Sequence, residues 1–181
     1  EAGSWVPMSR GKPSRPAAPP TGARLARTFV LRFVLAFAVL EVFVLLVLYH
    51  SPWFAPYAAA NAQLSAWLLG PFLEGVRATE GYLIAPAFSL SVRPGCDSYQ
   101  ASAVLLAGIV AFPAPAARKW IGGLVGVTCL QLLNLFRLAV LLWTGVHHRV
   151  HFDLMHLEIL PVVFVAVALG LLFGWALWAR K

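Results

Sequence analysis

Of the 181 residues, 60% are hydrophobic and only 12% charged, and the mean hydropathy is +0.78. A soluble domain of this size carries about a quarter charged residues, so the composition excludes an ordinary water-soluble globule and makes lipid the solvent for most of the chain. The net charge of +7 does not point to nucleic acid, because the cations sit in the N-terminal stretch and at the ends of apolar runs, where they set membrane orientation.

Residues 1–27 are rich in Pro, Ala, Ser, Gly and Arg and poor in large apolar side chains. Such a segment buries too little surface to offset its ordering entropy, which predicts a disordered basic tail. The membrane domain is expected over 28–181. Its first span, 29–49, is a helix-length apolar run with Arg32 near one end and Glu41 in its interior. Arg32 reaches the interface by snorkelling, whereas an acid at the depth of Glu41 faces protein or a wet cavity. Residues 51–70 open on Ser-Pro and carry aromatic residues at both ends, with Asn61, Gln63 and Ser65 breaking the apolar face. That pattern fits a helix lying in the interface better than the alternative, an extra short span.

Tyr82-Leu83-Ile84 and the alternating Phe88-Ser89-Leu90-Ser91-Val92 predict a short extracytoplasmic β-hairpin. It leads into the polar turn Arg93-Pro94-Gly95-Cys96-Asp97-Ser98. A second span follows over 99–117, ended by Pro113 and Pro115, then a third over 120–146 and a fourth over 157–178. The expected fold is all-α and polytopic: about four transmembrane helices, an interfacial helix and a hairpin-like segment. With four spans the tail cations Arg10, Lys12, Arg15, Arg24 and Arg27 share one side with Arg118, Lys119, Arg180 and Lys181. The positive-inside rule makes that side, and both termini, cytoplasmic.

The third span is the unusual one. Gln131, Asn134 and Arg137 recur at three-residue spacing and share one helix face. Arg137 lies nine residues before Val146, roughly 13 Å below that end at 1.5 Å per residue. In this topology Cys96 and His156 stand at the outer face, each just before a descending span. Three segments thus bring a thiol, an imidazole and a guanidinium to one leaflet. A thiolate is a strong nucleophile toward carbonyls, favoured by a helix N-terminus and a nearby cation, here Arg137 or Arg93. His156 is suited to taking the thiol proton and returning one to a leaving amine. Arg137, always charged, suits an oxyanion or a substrate carboxylate. Asn134 is expected to hold Arg137 in place, with Gln131, Asp97 and Ser98 as further support. The chemistry so composed is acyl transfer through a thioester.

Cys129 lies about 12 Å deeper than Arg137 on the same helix, which disfavours a disulfide with Cys96 and makes Cys129 a packing residue. His147, His148, His151 and His156, with Asp153 and Glu158, lack any rigid zinc spacing, so no metal is expected and the first three are read as a solvated loop. Nothing in the sequence indicates an organic cofactor.

From Val92 to Leu177 the chain resembles the exosortase/archaeosortase family of membrane proteins. The resemblance rests on Gly95-Cys96 ahead of a span ending at Pro113, on Asn134-Leu135-Phe136-Arg137-Leu138 within the next span, and on His156 before the last. After the cysteine stand Asp97 and Ser98, where the family commonly has Ser or Thr and then Gly. The chain is also short for the family, in the manner of its minimal exosortase H-like members. The resemblance implies a cysteine transpeptidase of the bacterial inner membrane, open to the extracytoplasmic side. Its nucleophile would be Cys96, its stabiliser Arg137 and its acid/base partner His156. The implied partners are membrane-anchored proteins bearing a C-terminal sorting signal: a short motif, a transmembrane helix and a basic cluster. Two other readings stand beside it. One is a non-catalytic membrane scaffold with Arg137, Asn134, Gln131 and Glu41 as glue between helices. The other is a small transporter in which Arg137 binds an anion.

Overall fold

The computed structural model describes residues 22–180. Helix α1 (Gly22–Phe43) runs on through a π-helical turn, Val44–Leu48. Gly22 to Arg27, expected in the tail, therefore belong to the first helix, and the remainder of the tail lies outside the described residues. Helix α2 (Phe54–Leu69) follows. Next come β1 (Arg77–Thr79), β2 (Tyr82–Ala85) and β3 (Phe88–Ser91), an antiparallel sheet in the order β1-β2-β3. The expected hairpin is the β2–β3 pair, joined through Ala85 opposite Phe88. The additional strand β1 pairs Thr79 with Tyr82 across a two-residue loop, Glu80-Gly81, in which both φ angles are positive. That left-handed pair matches the twist of a two-residue hairpin and lets a strand of three residues join the sheet.

Helix α3 spans Tyr99–Ala111, and α4 spans Ala116–His147. A 3₁₀ turn (Arg149–His151), a short α5 (Phe152–Leu154) and a second π-helical turn (Met155–Ile159) lead into α6 (Leu160–Ala179). Three helical stretches among the described residues are long and apolar enough to cross a membrane: Gly22–Leu48, Ala116–His147 and Arg149–Ala179. The expected second span is shorter than 99–117. Its helix has 13 residues, about 20 Å against a hydrocarbon core of about 30 Å. The chain is extended at Phe112 and Pro115, and the prolines remove the donors that would continue the helix.

Arg118 and Lys119, expected between spans, instead lie in the first turn of α4. Arg118 Nη1 donates to the carbonyl of Ala179 at 2.8 Å, and Lys119 Nζ to that of Val110 at 2.8 Å. Each cation satisfies a carbonyl left open at a helix C-terminus, α6 for Arg118 and α3 for Lys119. Leu25, Arg32, Phe112, Pro113 and Arg180 line one cavity of about 410 Å³, so the start of α1 meets this same basic end.

The buried side chains form two clusters. One joins Ala58, Ala62 and Leu69 of α2, Leu83 and Leu90 of the sheet, and Leu138, Leu141 and Leu142 of α4. The other, toward the basic end, joins Leu105 and Ile109 of α3, Leu130 of α4, and Phe164, Ala168 and Trp175 of α6. Asn61 and Ser65 of α2, expected to face the interface, are buried against α4 instead. Cys129, expected to pack, is exposed on the outward side of α4, and both cysteines are free.

Close helix packing depends on missing side chains. A Cβ at Gly122 of α4 would strike the Trp175 indole, whose Nε1 donates to the Arg118 carbonyl at 3.0 Å. The ring is held by that bond and by an edge-on contact with Phe112 at 5.7 Å. We expect Gly122→Ala to destabilise the fold by about 1–3 kcal/mol, the usual cost of overpacking. Gly170→Ala, where a Cβ meets nothing within 4 Å, should not. Thermal unfolding of both variants in detergent checks this.

Candidate active site

Cys96 owes its position to a turn. In Arg93-Pro94-Gly95-Cys96 the Cys96 N–H donates to the Arg93 carbonyl at 2.8 Å, and Gly95 has φ +90°. Proline second and a left-handed glycine third are the requirements of a type II turn. The turn puts Cys96 at the entry to α3, where Ser102 donates back to the Ser98 carbonyl at 2.9 Å. The thiol is buried, 8% exposed.

Opposite it stands His156. Cys96 Sγ and His156 Nε2 are 3.9 Å apart, within hydrogen-bonding reach for sulfur, although 60 residues separate them in sequence. His156, expected just before the fourth span, lies inside the π-helical turn Met155–Ile159 that leads into α6. Such turns are frequent where a side chain must be re-aimed. Its ring stacks on Phe152 at 5.6 Å, and its buried Nδ1 has no partner among the described residues.

Arg137 is 6% exposed and within electrostatic reach of both Cys96 and Asp97. Its guanidinium lies over the Phe164 ring at 5.3 Å, and its buried Nε has no partner among the described residues. Asn134 does not hold it, contrary to expectation. The Asn134 amide donates instead to Asn61 Oδ1 at 3.5 Å, and its own Oδ1 is buried and unpartnered. A buried polar atom without a partner costs on the order of 1–3 kcal/mol. Four side-chain atoms of this kind occur among the described residues: one each in Asn134, Arg137, His156 and Glu41. Three of the four belong to residues expected at the site.

Gln131 is the hub of the polar network beneath. Its Nε2 donates to Asn61 Oδ1 at 2.6 Å, while its Oε1 accepts from Ser98 Oγ and Tyr57 Oη, each at 2.9 Å. Asn61 in turn donates to the Tyr57 carbonyl at 2.9 Å. The network ties α2, α4 and the turn after Cys96 together. Tyr57 and Asn61 were not expected at the site. Their signal in the sequence is the Tyr57, Asn61, Ser65 spacing, which places three polar groups on one face of α2. A cavity of about 390 Å³ flanks the network, lined by Asp97, Ser98, Tyr57 and Gln131 together with Leu48, Trp53, Leu106 and Val127.

Burial raises the Asp97 carboxyl above the usual range. The Tyr49 hydroxyl, the Tyr99 amide (3.3 Å) and the Arg137 charge oppose that rise. The Tyr49 phenol is itself pushed up by burial and by Asp97. Among the described residues no three His, Cys, Asp or Glu side chains gather to hold a metal, and His147, His148 and His151 are exposed. Comparison with family models, curated proteins and solved structures finds no match for this chain.

Two variants test these assignments. A Cβ at Gly95 meets no atom within 4 Å, so Gly95→Ala carries backbone strain alone, about 1–2 kcal/mol. Gly95→Ala should therefore leave the helices folded and displace the thiol, read as slower alkylation of Cys96 by a small haloacetamide. For Asp97, the folded chain holds its proton to higher pH than the unfolded chain. Stability is then lost as pH rises from the unfolded value through the folded one. Asp97→Asn should melt above wild type at pH 7 and lose that advantage in acid, measured by thermal unfolding across pH.

Proposed function

We propose that this chain is an integral membrane cysteine peptidase/transpeptidase of the exosortase/archaeosortase kind, cleaving C-terminal sorting signals of exported proteins. The observation that carries the reading is the 3.9 Å approach of Cys96 Sγ to His156 Nε2, with the buried Arg137 beside them. His156 takes the Cys96 proton, and the sulfur attacks the scissile carbonyl carbon. Arg137 stabilises the oxyanion that forms. The C–N bond then breaks, and His156 returns the proton to the departing amine, leaving a thioester on Cys96. Water or an acceptor amine attacks the thioester, and the thiol is regenerated.

In this reading α3 is a short fourth span, completed at its ends by the turn at Cys96 and by Phe112 to Pro115. The basic end is cytoplasmic and the site extracytoplasmic, in a bacterial inner membrane. The convergence of Arg118, Lys119 and Arg180 at one end of the helices supports that orientation. The apolar walls of the cavity beside Asp97 and Ser98 suit a substrate that arrives with its own membrane helix.

The test is processing of a membrane-anchored reporter ending in a candidate C-terminal tail from the same genome, with protein levels matched. Cys96→Ala should abolish cleavage. We expect His156→Ala to slow it by about 10²–10⁴-fold and Arg137→Ala by about 10²–10³-fold. Cleavage by Cys96→Ala at the wild-type rate would overturn the nucleophile and leave Arg137 and Asn134 as structural glue or an anion site.

A further inference from the structure

The polar network dictates more than positions. It also sets the direction of every amide in it. The Tyr57 carbonyl only accepts hydrogen bonds, so Asn61 must present Nδ2 to it and turn Oδ1 toward α4. Gln131 must then meet that oxygen with its own Nε2, leaving Oε1 for the hydroxyls of Ser98 and Tyr57, which both donate. Asn134 must likewise offer Nδ2 to Asn61. The Asn134 Oδ1 is therefore fixed as an acceptor, and no group among the described residues donates to it. One turn further along the same face, Arg137 Nε is a donor that no group among the described residues accepts. The two residues are 0% and 6% exposed. Residues at this spacing have Cβ atoms about 5–6 Å apart. An acceptor and a donor thus lie one turn apart on one face of α4, the donor on the side chain whose charge reaches Cys96, and neither has a partner among the described residues.

We infer that this pair is a peptide-backbone subsite. One residue of an extended substrate gives its N–H to Asn134 Oδ1 and its C=O to Arg137 Nε. In an extended chain the N–H and C=O of one residue point to the same side, as they do across a hydrogen-bonded pair in a sheet. A carboxylate or phosphate ligand would satisfy Arg137 and face the Asn134 oxygen with another acceptor, so the site is matched to peptide rather than to a simple anion. Arg137 keeps its remaining donors for the oxyanion. This inference rests on the peptidase reading above and names how that enzyme holds its substrate's main chain.

The probes are iodoacetamide, acetyl-Ala-Ala-Ala chloromethyl ketone, and the three analogues of that ketone methylated at a single backbone nitrogen. The readout is the rate of Cys96 alkylation by mass spectrometry in the full-length protein. In wild type, methylation at one position should slow alkylation about tenfold, the effect of a single buried hydrogen bond. In Asn134→Ala that penalty, read as the ratio of the unmethylated to the methylated ketone rate within the variant and with iodoacetamide reporting thiol accessibility, should vanish. Asn61→Leu removes the group that directs the Asn134 amide and carries the same expectation, should Asn134→Ala not accumulate. A penalty that survives in both variants, or no penalty at any position, overturns the subsite and leaves the nucleophile intact. Failure of every reagent to alkylate Cys96 overturns the peptidase reading itself, and the subsite with it.

Discussion

A guanidinium two-thirds of the way along an apolar helix is the most expensive group in this chain to bury. At such a depth a cation costs at least a few kcal/mol unless polar groups or charge compensate it. Arg137 is 6% exposed, and the arrangement around it answers that cost piece by piece. The turn at Gly95 delivers Cys96 and Asp97 within reach of its charge. The Phe164 ring offers its electron-rich face. Truncating α4 before Arg137, or closing the polar turn with apolar residues, would remove the cost and the site together.

The polar groups do not reach Arg137 from α4 alone. Helix α2 contributes Asn61 and Tyr57, and through Gln131 these bond to Ser98, two residues beyond the cysteine. The loop that carries Cys96 is therefore tied to α2 and α4. Such a network is worth having only when nearly every member is satisfied. Here Gln131, Asn61, Ser98 and Tyr57 are, and three of the orphaned atoms fall on Asn134, Arg137 and His156. The remaining orphan among the described residues, Glu41 Oε1, sits on α1, whose Leu40 carbonyl accepts from Tyr99 at 2.9 Å.

Much of this arrangement was legible in the residues. Pro94-Gly95 before a helix start announces a turn with a left-handed position. The i, i+3 ladder of Gln131, Asn134 and Arg137 announces a polar stripe in an apolar helix. His156 and Cys96 were legible as candidates because each stands just before an apolar span, at the same face of the expected topology. Three things were hidden. Asn61 and Ser65 read as breaks in an apolar face, because periodicity within one helix does not say which side meets protein and which meets water or lipid. The partner of Asn134 was misassigned because proximity along α4 favoured Arg137, while Asn61 comes from 73 residues away. Arg118 and Lys119 looked like a loop between spans, because their pairing with two helix C-termini is set by tertiary packing and has no local signature.

The π-helical turn at Met155–Ile159 carries a consequence for how this site can change. A π turn holds one residue more than the α-helix around it, so its bond runs from the Leu160 N–H to the Met155 carbonyl. Removing any one residue there would let the backbone close into regular α-helix, at little cost to the apolar packing of α6. The flanking helix would keep its faces, because the wide turn is what absorbs the extra residue, while side chains within the turn, His156 among them, would be re-aimed and the imidazole carried away from the thiol. The aim of His156 is thus encoded in residue count as much as in residue identity. A lineage gains or loses that aim by a single codon inserted or deleted, a step that no series of substitutions at position 156 can reproduce.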